Sequence, residues 1–299
     1  MSARTLLDRL GVQPDRPVLI AGPTASGKSA LAALIAREQG GVIVNADALQ
    51  VYRRWRILTA RPSAAEETAL PHALYGDVGD RQGWSTGHWL RAVQGLLPGP
   101  RLIVVGGSGL YFRALTEGLA EVPPTPPDVR AKGDALDLPA LVAALDPATA
   151  ARIDLRNRAR VQRAWEVLVA TGQGLAVWQG APHTAPLPRT GATALVLTPP
   201  VGWLDTRIAR RFDAMLAHGA LEEVRAALPD WDPGLPSARA IGAAELVGFL
   251  QGSLTLDQAR SAAIVATRQY AKRQRTWFRA RMQGWHAVQP GTDWPPPDE

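Results

Sequence analysis

The sequence predicts an α/β protein: a P-loop parallel sheet core covered by helices, with a mostly helical insertion. Three observations carry that expectation. Short, uninterrupted apolar runs alternate with helical segments in the first half of the chain. A glycine-rich loop joins the first of those runs to the first of those helices. A proline-rich stretch after residue 121 then opens a region of helical character.

Val18–Ala21 is the first apolar run and ends in the turn at Gly22. Lys28–Gln39 has helical spacing, with Leu31, Leu34 and Ile35 on one side. Val42–Val44 and Leu102–Val105 are further apolar runs, the latter ending at Gly106-Gly107. Such runs, bounded by turn residues, are the mark of parallel strands buried on both faces. Val122–Asp128 (VPPTPPD) marks a boundary, Asp128 to about Thr171 reads as helix, and Gly172–Gly191 reads as loop. Ala194–Thr198 is a returning strand, and Trp203 to Gln283 is helical again. The expected organisation is a core over 1–121 and 191–289, an insertion over 122–190, and a disordered, proline-rich tail over 290–299.

Composition narrows the function classes. The 299 residues include no cysteine, which excludes disulfides, thiolate metal sites and cysteine nucleophiles and fits a cytoplasmic setting. No run of eighteen apolar residues exists, and Met1–Leu10 lacks the apolar segment of a secretory signal, so no membrane partner is expected. The net charge of +6 suggests a polyanionic partner. His72, His88, His183, His218 and His286 are scattered, with no pair at metal-ligand spacing on one helix.

Gly22-Pro23-Thr24-Ala25-Ser26-Gly27-Lys28-Ser29 fits the nucleotide-binding pattern G-x-x-x-x-G-K-[ST], between a predicted strand and a predicted helix. Its glycines let the backbone curl so that successive N–H groups face an anion, and the helix N-terminus adds partial positive charge. Lys28 supplies a point charge for terminal phosphates, and the Ser29 hydroxyl is suited to ligate Mg2+. The pattern indicates polyphosphate binding, as in ATP-binding proteins, without indicating ATP hydrolysis. A motor ATPase or GTPase carries a second strand ending in Asp, whereas Leu102–Val105 ends in Gly106-Gly107-Ser108. The acid stands at Asp47, after Val42–Val44. Ligands of parallel sheets bind beyond the carboxyl ends of strands, so Asp47, Ser108 and the loop are expected to share a crevice. By residue chemistry alone, Asp47 is either a cap or water-mediated magnesium ligand, or a general base. Ser108 is either the cap of a helix beginning near Gly109 or a hydrogen-bonding partner of a phosphate oxygen. Gly106, Gly107 and Gly109 favour the second.

These stretches resemble the tRNA dimethylallyltransferase family, also called tRNA isopentenyltransferases. GPTASGKS, NADALQVY (Asn45–Tyr52) and VGGSGLYF (Val105–Phe112) stand where the family shows GPTASGKT, S-x-DSMQVY and VGGTGLY. Arg152-Ile153, Arg160, Arg163-Ala164 and Glu166-Val167 follow in order. Next come Arg207-Ile208, Arg211-Phe212 and Met215-Leu216, then Thr267–Gln269, Ala271–Gln274 and Thr276-Trp277. The resemblance spans about Pro17 to Phe278. It implies transfer of a dimethylallyl group from dimethylallyl diphosphate to N6 of the adenosine 3′ of the anticodon in tRNA, with Mg2+. It implies Asp47 as general base, Ser108 in place of a threonine at the reacting groups, and Lys28 with the loop on the departing diphosphate. Arg207 and Arg211 are candidates for a second clamp on that diphosphate. Asp47, Ala48, Leu49 and Gln50 form a tRNA-contacting stretch, to which Ser108, Arg130 and Arg239 are added. Three departures stand out: Leu58 for a glycine, Asp154–Asn157 (DLRN) for HPND, and Ala243-Ala244 for a tyrosine and a basic residue.

Charge placement supports an RNA partner separately. Arg268, Lys272, Arg275 and Arg279 fall on one helical face, with Arg273 and Arg281 nearby and no acid between 268 and 281. Arg156, Arg160 and Arg163 form a second stripe in the insertion. A solvated helix face is the plain alternative for either stripe alone. Tyr52, Tyr111, Trp165 and Trp277 are candidate stacking residues for an anticodon stem-loop. A monomer is expected. A P-loop small-molecule or nucleoside kinase is the competing reading, and a non-catalytic RNA-binding protein the third.

Overall fold

The computed structural model describes residues 2–294. The chain divides into two compact units, Met1–Thr116 with Leu187–Glu299, and Glu117–Pro186.

The first unit is built on β1 (Val18–Ala21), β2 (Val42–Asn45), β3 (His72–Ala73), β4 (Leu102–Gly106), β5 (Thr193–Leu197) and β6 (His286–Val288). All pairs are parallel, in the order β3-β2-β4-β1-β5-β6. The expected strands form at the apolar runs because only residues of that kind tolerate helices on both faces; β1 and β4 are buried throughout. The register sets Ala21 beside Gly106 and Asn45 beside Val105. The segments leaving β1, β2 and β4 therefore emerge at one edge of the sheet.

On one face, the helix Ala3–Arg9 and the loop helix Lys28–Gln39 bury Leu6, Leu7, Leu31 and Ile35 against Val18, Ile20, Ile103 and Leu195. A second core joins the helices Val201–Ala217, Ala220–Ala227, Ala243–Leu250 and Leu256–Arg281 through Ile208, Phe212, Val224, Leu246 and Ala263. The expectation of disorder from 290 onward fails for its first half. Pro290 bridges Trp294, the Gly291 N–H donates to the Trp294 carbonyl at 2.7 Å, and the Trp294 ring enters the first core. An aromatic with a core to cover overrides the local proline signal. Residues 295–299 of that expectation lie outside the described residues.

The second unit is helical: Pro127–Ala135, Leu138–Ala143, Pro147–Ala150, Arg158–Thr171 and Leu175–Gly180. The last helix lies where the glycines suggested loop. Val129, Leu141, Val161 and Trp165 make its small core. Beside them Glu166 is fully buried and receives Arg130 at 3.0 Å, Gln162 at 3.1 Å and Thr125 at 3.2 Å, with Arg163 at 4.0 Å. The DLRN departure still makes a turn: Asp154 Oδ1 accepts from the Arg156 N–H at 3.0 Å, and Asn157 caps the next helix.

Candidate active site

The phosphate loop is held from below. The Gly22 N–H donates to the Gly106 carbonyl at 3.3 Å, tying the end of β1 to the end of β4. A side chain at Gly22 would put its Cβ 2.8 Å from Ser26 Oγ, so the curl needs glycine there. Ala25 and Gly27 carry φ of +60° and +84°, and Gly27 begins the loop helix without a side-chain cap. The helix's first N–H groups thus open onto the site, as an anion cradle requires. Ser26 is fully buried with its hydroxyl unpartnered, a polar atom that an anion in the loop would satisfy. Lys28 Nζ reaches back to the Pro23 carbonyl at 3.2 Å.

Two cations close on the loop from the helix Val201–Ala217. Arg207 Nε donates to the Ala25 carbonyl at 3.3 Å, and its guanidinium lies 4.9 Å above the Trp203 ring. Arg211, one turn later on the same face, donates to Thr24 Oγ1 at 2.9 Å.

Asp47 is fixed by its neighbours. Its N–H donates to Asn45 Oδ1 at 2.7 Å, and Asn45 Nδ2 donates to the Asp47 and Leu74 carbonyls at 3.0 and 2.9 Å. Asp47 Oδ1 accepts from the Leu49 N–H at 2.9 Å. Oδ2 faces Gly107, where an added Cβ would sit 3.5 Å away. Burial pushes the phenol pKa values of Tyr75, Tyr111 and Tyr270 up, and the Asp47 charge adds to the effect. These hydroxyls stay neutral around the carboxylate.

Ser108 ties the turn after β4 to the segment that follows β2. Its Oγ accepts from the Ala48 N–H at 3.0 Å, and its own N–H donates to the Ala46 carbonyl at 3.0 Å. A Cβ on Gly106 would lie 2.1 Å from that carbonyl oxygen, which is why glycine precedes the turn.

Gln274 lies on the C-terminal helix, beyond the reach of the motif patterns. It is 6% exposed, its Oε1 accepts from the Thr24 N–H at 2.9 Å, and its Nε2 donates to the Gly107 carbonyl at 3.0 Å. One side chain of the C-terminal helix therefore straps the phosphate loop to the β4 turn. The available signal was a polar residue on that helix's buried face, between Ala271 and Phe278.

Thr24, Ala25, Asp47 and Arg211 share a cavity of about 80 Å³ with apolar residues, among them Leu49, Leu58, Ile208, Phe212 and Met215. Ser29 does not line it; the residue is exposed on the first turn of the loop helix. No cluster of three or more metal-binding side chains occurs among the described residues. A lone hydroxyl beside a phosphate loop fits Mg2+, which keeps waters and binds through substrate phosphates.

The candidate RNA contacts are less uniform. Ala48 and Arg239 are exposed. Gln50 Nε2 donates to the Thr59 and Ala60 carbonyls at 2.8 and 2.9 Å, so its amide braces a loop. Lys272, Arg273 and Arg279 are exposed, and Arg275 is half-buried. Arg268 is exposed but pairs with Asp205 at 3.8 Å, an acid from another helix that the linear pattern concealed. In the second unit Arg160 is exposed, whereas Arg130 and Arg163 share Glu166. Tyr52, Tyr111 and Trp165 are buried, which corrects their candidacy as surface stacking residues: their rings fill cores. Trp277 is half-buried.

A parallel sheet with a glycine-rich loop after its first strand, and an acid and apolar side chains in one cavity beside that loop, defines a P-loop protein. Comparison with known proteins then gives the family. The chain belongs to the IPP transferase family, whose model matches residues 50–281, and a model described as isopentenyl transferase matches residues 16–73. It is 66% identical over 284 residues to a tRNA dimethylallyltransferase of Cereibacter sphaeroides, covering 93% of this chain and 90% of that one. A tRNA dimethylallyltransferase of Roseobacter denitrificans is 60% identical over 278 residues, covering 93% and 100%. Among solved structures, a full-length tRNA isopentenylpyrophosphate transferase from Bacillus halodurans aligns with a TM-score of 0.65 and 29% identity, over 92% of this chain and 90% of that one. A eukaryotic dimethylallyltransferase acting on tRNA shares the fold, with a TM-score of 0.77 and 23% identity over 91% and 73%.

Proposed function

We propose that this protein transfers the dimethylallyl group of dimethylallyl diphosphate to N6 of the adenosine 3′ of the anticodon in tRNA. The observation that carries the reading is a single cavity with Thr24, Ala25 and Arg211 of the phosphate grip, the Asp47 carboxylate and an apolar wall. The N6 nitrogen forms a bond to the dimethylallyl carbon as the carbon–oxygen bond to diphosphate breaks. Asp47 takes the proton that N6 loses. The electron pair leaves with diphosphate, which the loop N–H groups, Lys28, Arg207 and Arg211 stabilise. Mg2+ held on the Ser29 hydroxyl and the phosphates would supply further charge neutralisation. Ser108, bound to the Ala48 N–H, holds the turn beside Asp47 in register.

Among the tRNA-binding candidates, Asp47, Ala48, Leu49, Gln50 and Ser108 surround the target base, with Gln50 acting through the loop it braces. Lys272, Arg273, Arg275 and Arg279, with Arg268 and Arg239, take the phosphate backbone. Arg130, Arg160 and Arg163 do so from the insertion, and the target base leaves its stack to react. No described helix is long and apolar enough to cross a membrane; we place the enzyme in the cytoplasm, as a monomer. A kinase would need ATP turnover, and the apolar wall favours a hydrocarbon instead. The test is transfer of label from dimethylallyl diphosphate to unmodified tRNA beside an ATP-turnover assay. Label that vanishes when the adenosine is replaced is expected. ATP turnover without label would overturn the reading.

A further inference from the structure

Arg207 is 8% exposed, more buried than Lys28 or Arg211 beside it. A guanidinium taken out of water needs partners on its faces as well as along its edge. At the edge, Nε donates to the Ala25 carbonyl of the phosphate loop at 3.3 Å. Over one face lies Trp203, with 4.9 Å between the guanidinium carbon and the centre of the ring. Both residues belong to the helix Val201–Ala217, where the ring stands one turn before Arg207 and Arg211 one turn after it. Like charges one turn apart repel. The electron-rich indole face attracts Arg207 from the side away from Arg211.

The ring is itself held. It packs against the core of the helical layer, and Gly291 of the C-terminal turn comes up to its edge, where a Cβ would sit 3.8 Å from Trp203 Nε1. A half-buried indole with these neighbours has little room to swing, and an arginine laid on it is confined in turn. The kind of attraction matters as well. An acid at position 203 would also hold Arg207, but it would take N–H groups and cancel charge. A π-face draws in the cation and takes none of the N–H groups in its plane, so Arg207 meets the loop with its charge intact. A cation oriented in advance stabilises a developing anion without first being reorganised.

Resting on the transferase reading, we propose that Trp203 is a positioning residue for that reaction. Its ring holds Arg207 against the phosphate loop, charged and oriented for diphosphate, and acts on the substrate only through Arg207.

The experiment is a double-mutant cycle, read by calorimetric titration of inorganic diphosphate with Mg2+ and without tRNA or donor. Trp203→Leu keeps an apolar side chain and removes the π-face. It should weaken diphosphate binding about tenfold when Arg207 is present, and by less than about twofold in the Arg207→Gln background. Trp203→Phe keeps a weaker face and should lose about threefold, again only with Arg207 present. The KM for dimethylallyl diphosphate should rise by the same factors, while tRNA affinity, read by filter binding, stays unchanged. Thermal melts monitor folding; should Trp203→Leu unfold the protein, Trp203→Phe carries the same cycle. Wild-type diphosphate affinity in the Trp203 variants overturns the proposal, as does an equal loss in both backgrounds, which would make the ring a packing group only. Wild-type affinity in Arg207→Gln overturns it too. Failure of transfer by the wild type overturns the transferase reading instead, and the titrations still decide the role of Trp203.

Discussion

Asp47 commits one carboxylate oxygen to the Leu49 N–H and turns the other toward Gly107. Asp47→Asn keeps that geometry and removes the base. Transfer should fall by about 10²–10⁴-fold while tRNA affinity stays within a few-fold, measured by single-turnover transfer and filter binding. Gln274 acts differently, by positioning the loop. Gln274→Ala leaves the Thr24 N–H and the Gly107 carbonyl without their partner. The KM for dimethylallyl diphosphate should rise about tenfold, the cost of one buried hydrogen-bonding group, with kcat at saturation reduced far less. An unchanged KM would remove Gln274 from the site. Lys28 and Asp47 were legible in the sequence because motif spacing and a strand end announce them, and Arg211 because its stretch resembles the family's. Gln274 was not, because its partners are backbone atoms 250 and 167 positions away.

The C-terminal helix, Leu256–Arg281, serves two ends: its buried face carries Ala263, Ala271, Gln274 and Phe278, and Lys272, Arg273 and Arg279 are exposed. Lys272→Ala and Arg279→Ala should each weaken tRNA binding and each flatten the log–log salt dependence by about 0.7–0.9, read from binding between low and moderate KCl. Arg268→Ala should flatten it less, because Asp205 already neutralises part of that charge. The basic stripe was legible from spacing; its acid partner was not, since it comes from another helix. In the insertion, Glu166→Ala should lower stability by about 2 kcal/mol in urea unfolding, as it removes the buried acceptor that Arg130, Gln162 and Thr125 share. Two other acids set a pH trend. The Thr149 hydroxyl and N–H hold the Asp146 carboxyl below its usual range, and Arg260 does the same for Asp213. Both groups bind protons less readily folded than unfolded. Their contribution is full at neutral pH and is lost as pH falls below about 4, so unfolding midpoints should drop between pH 5 and pH 3.

Across the molecule, the sheet was legible where hydrophobicity was continuous and illegible where strands were short. Val18–Ala21, Val42–Asn45 and Leu102–Gly106 are apolar enough to stand out. His72–Ala73 and His286–Val288 are too brief and too polar to mark themselves. Those two strands are also the outermost ones, β3 on one side and β6 on the other. A margin of two or three residues offers a neighbouring chain almost nothing to zip onto, and the turn at 290–294 follows directly on the second margin. The interior strands are apolar and buried, and among the described residues neither outer strand of the sheet is longer than three residues. Crowding many copies together should therefore leave them dispersed, and lengthening β6 outward should be enough to make them clump.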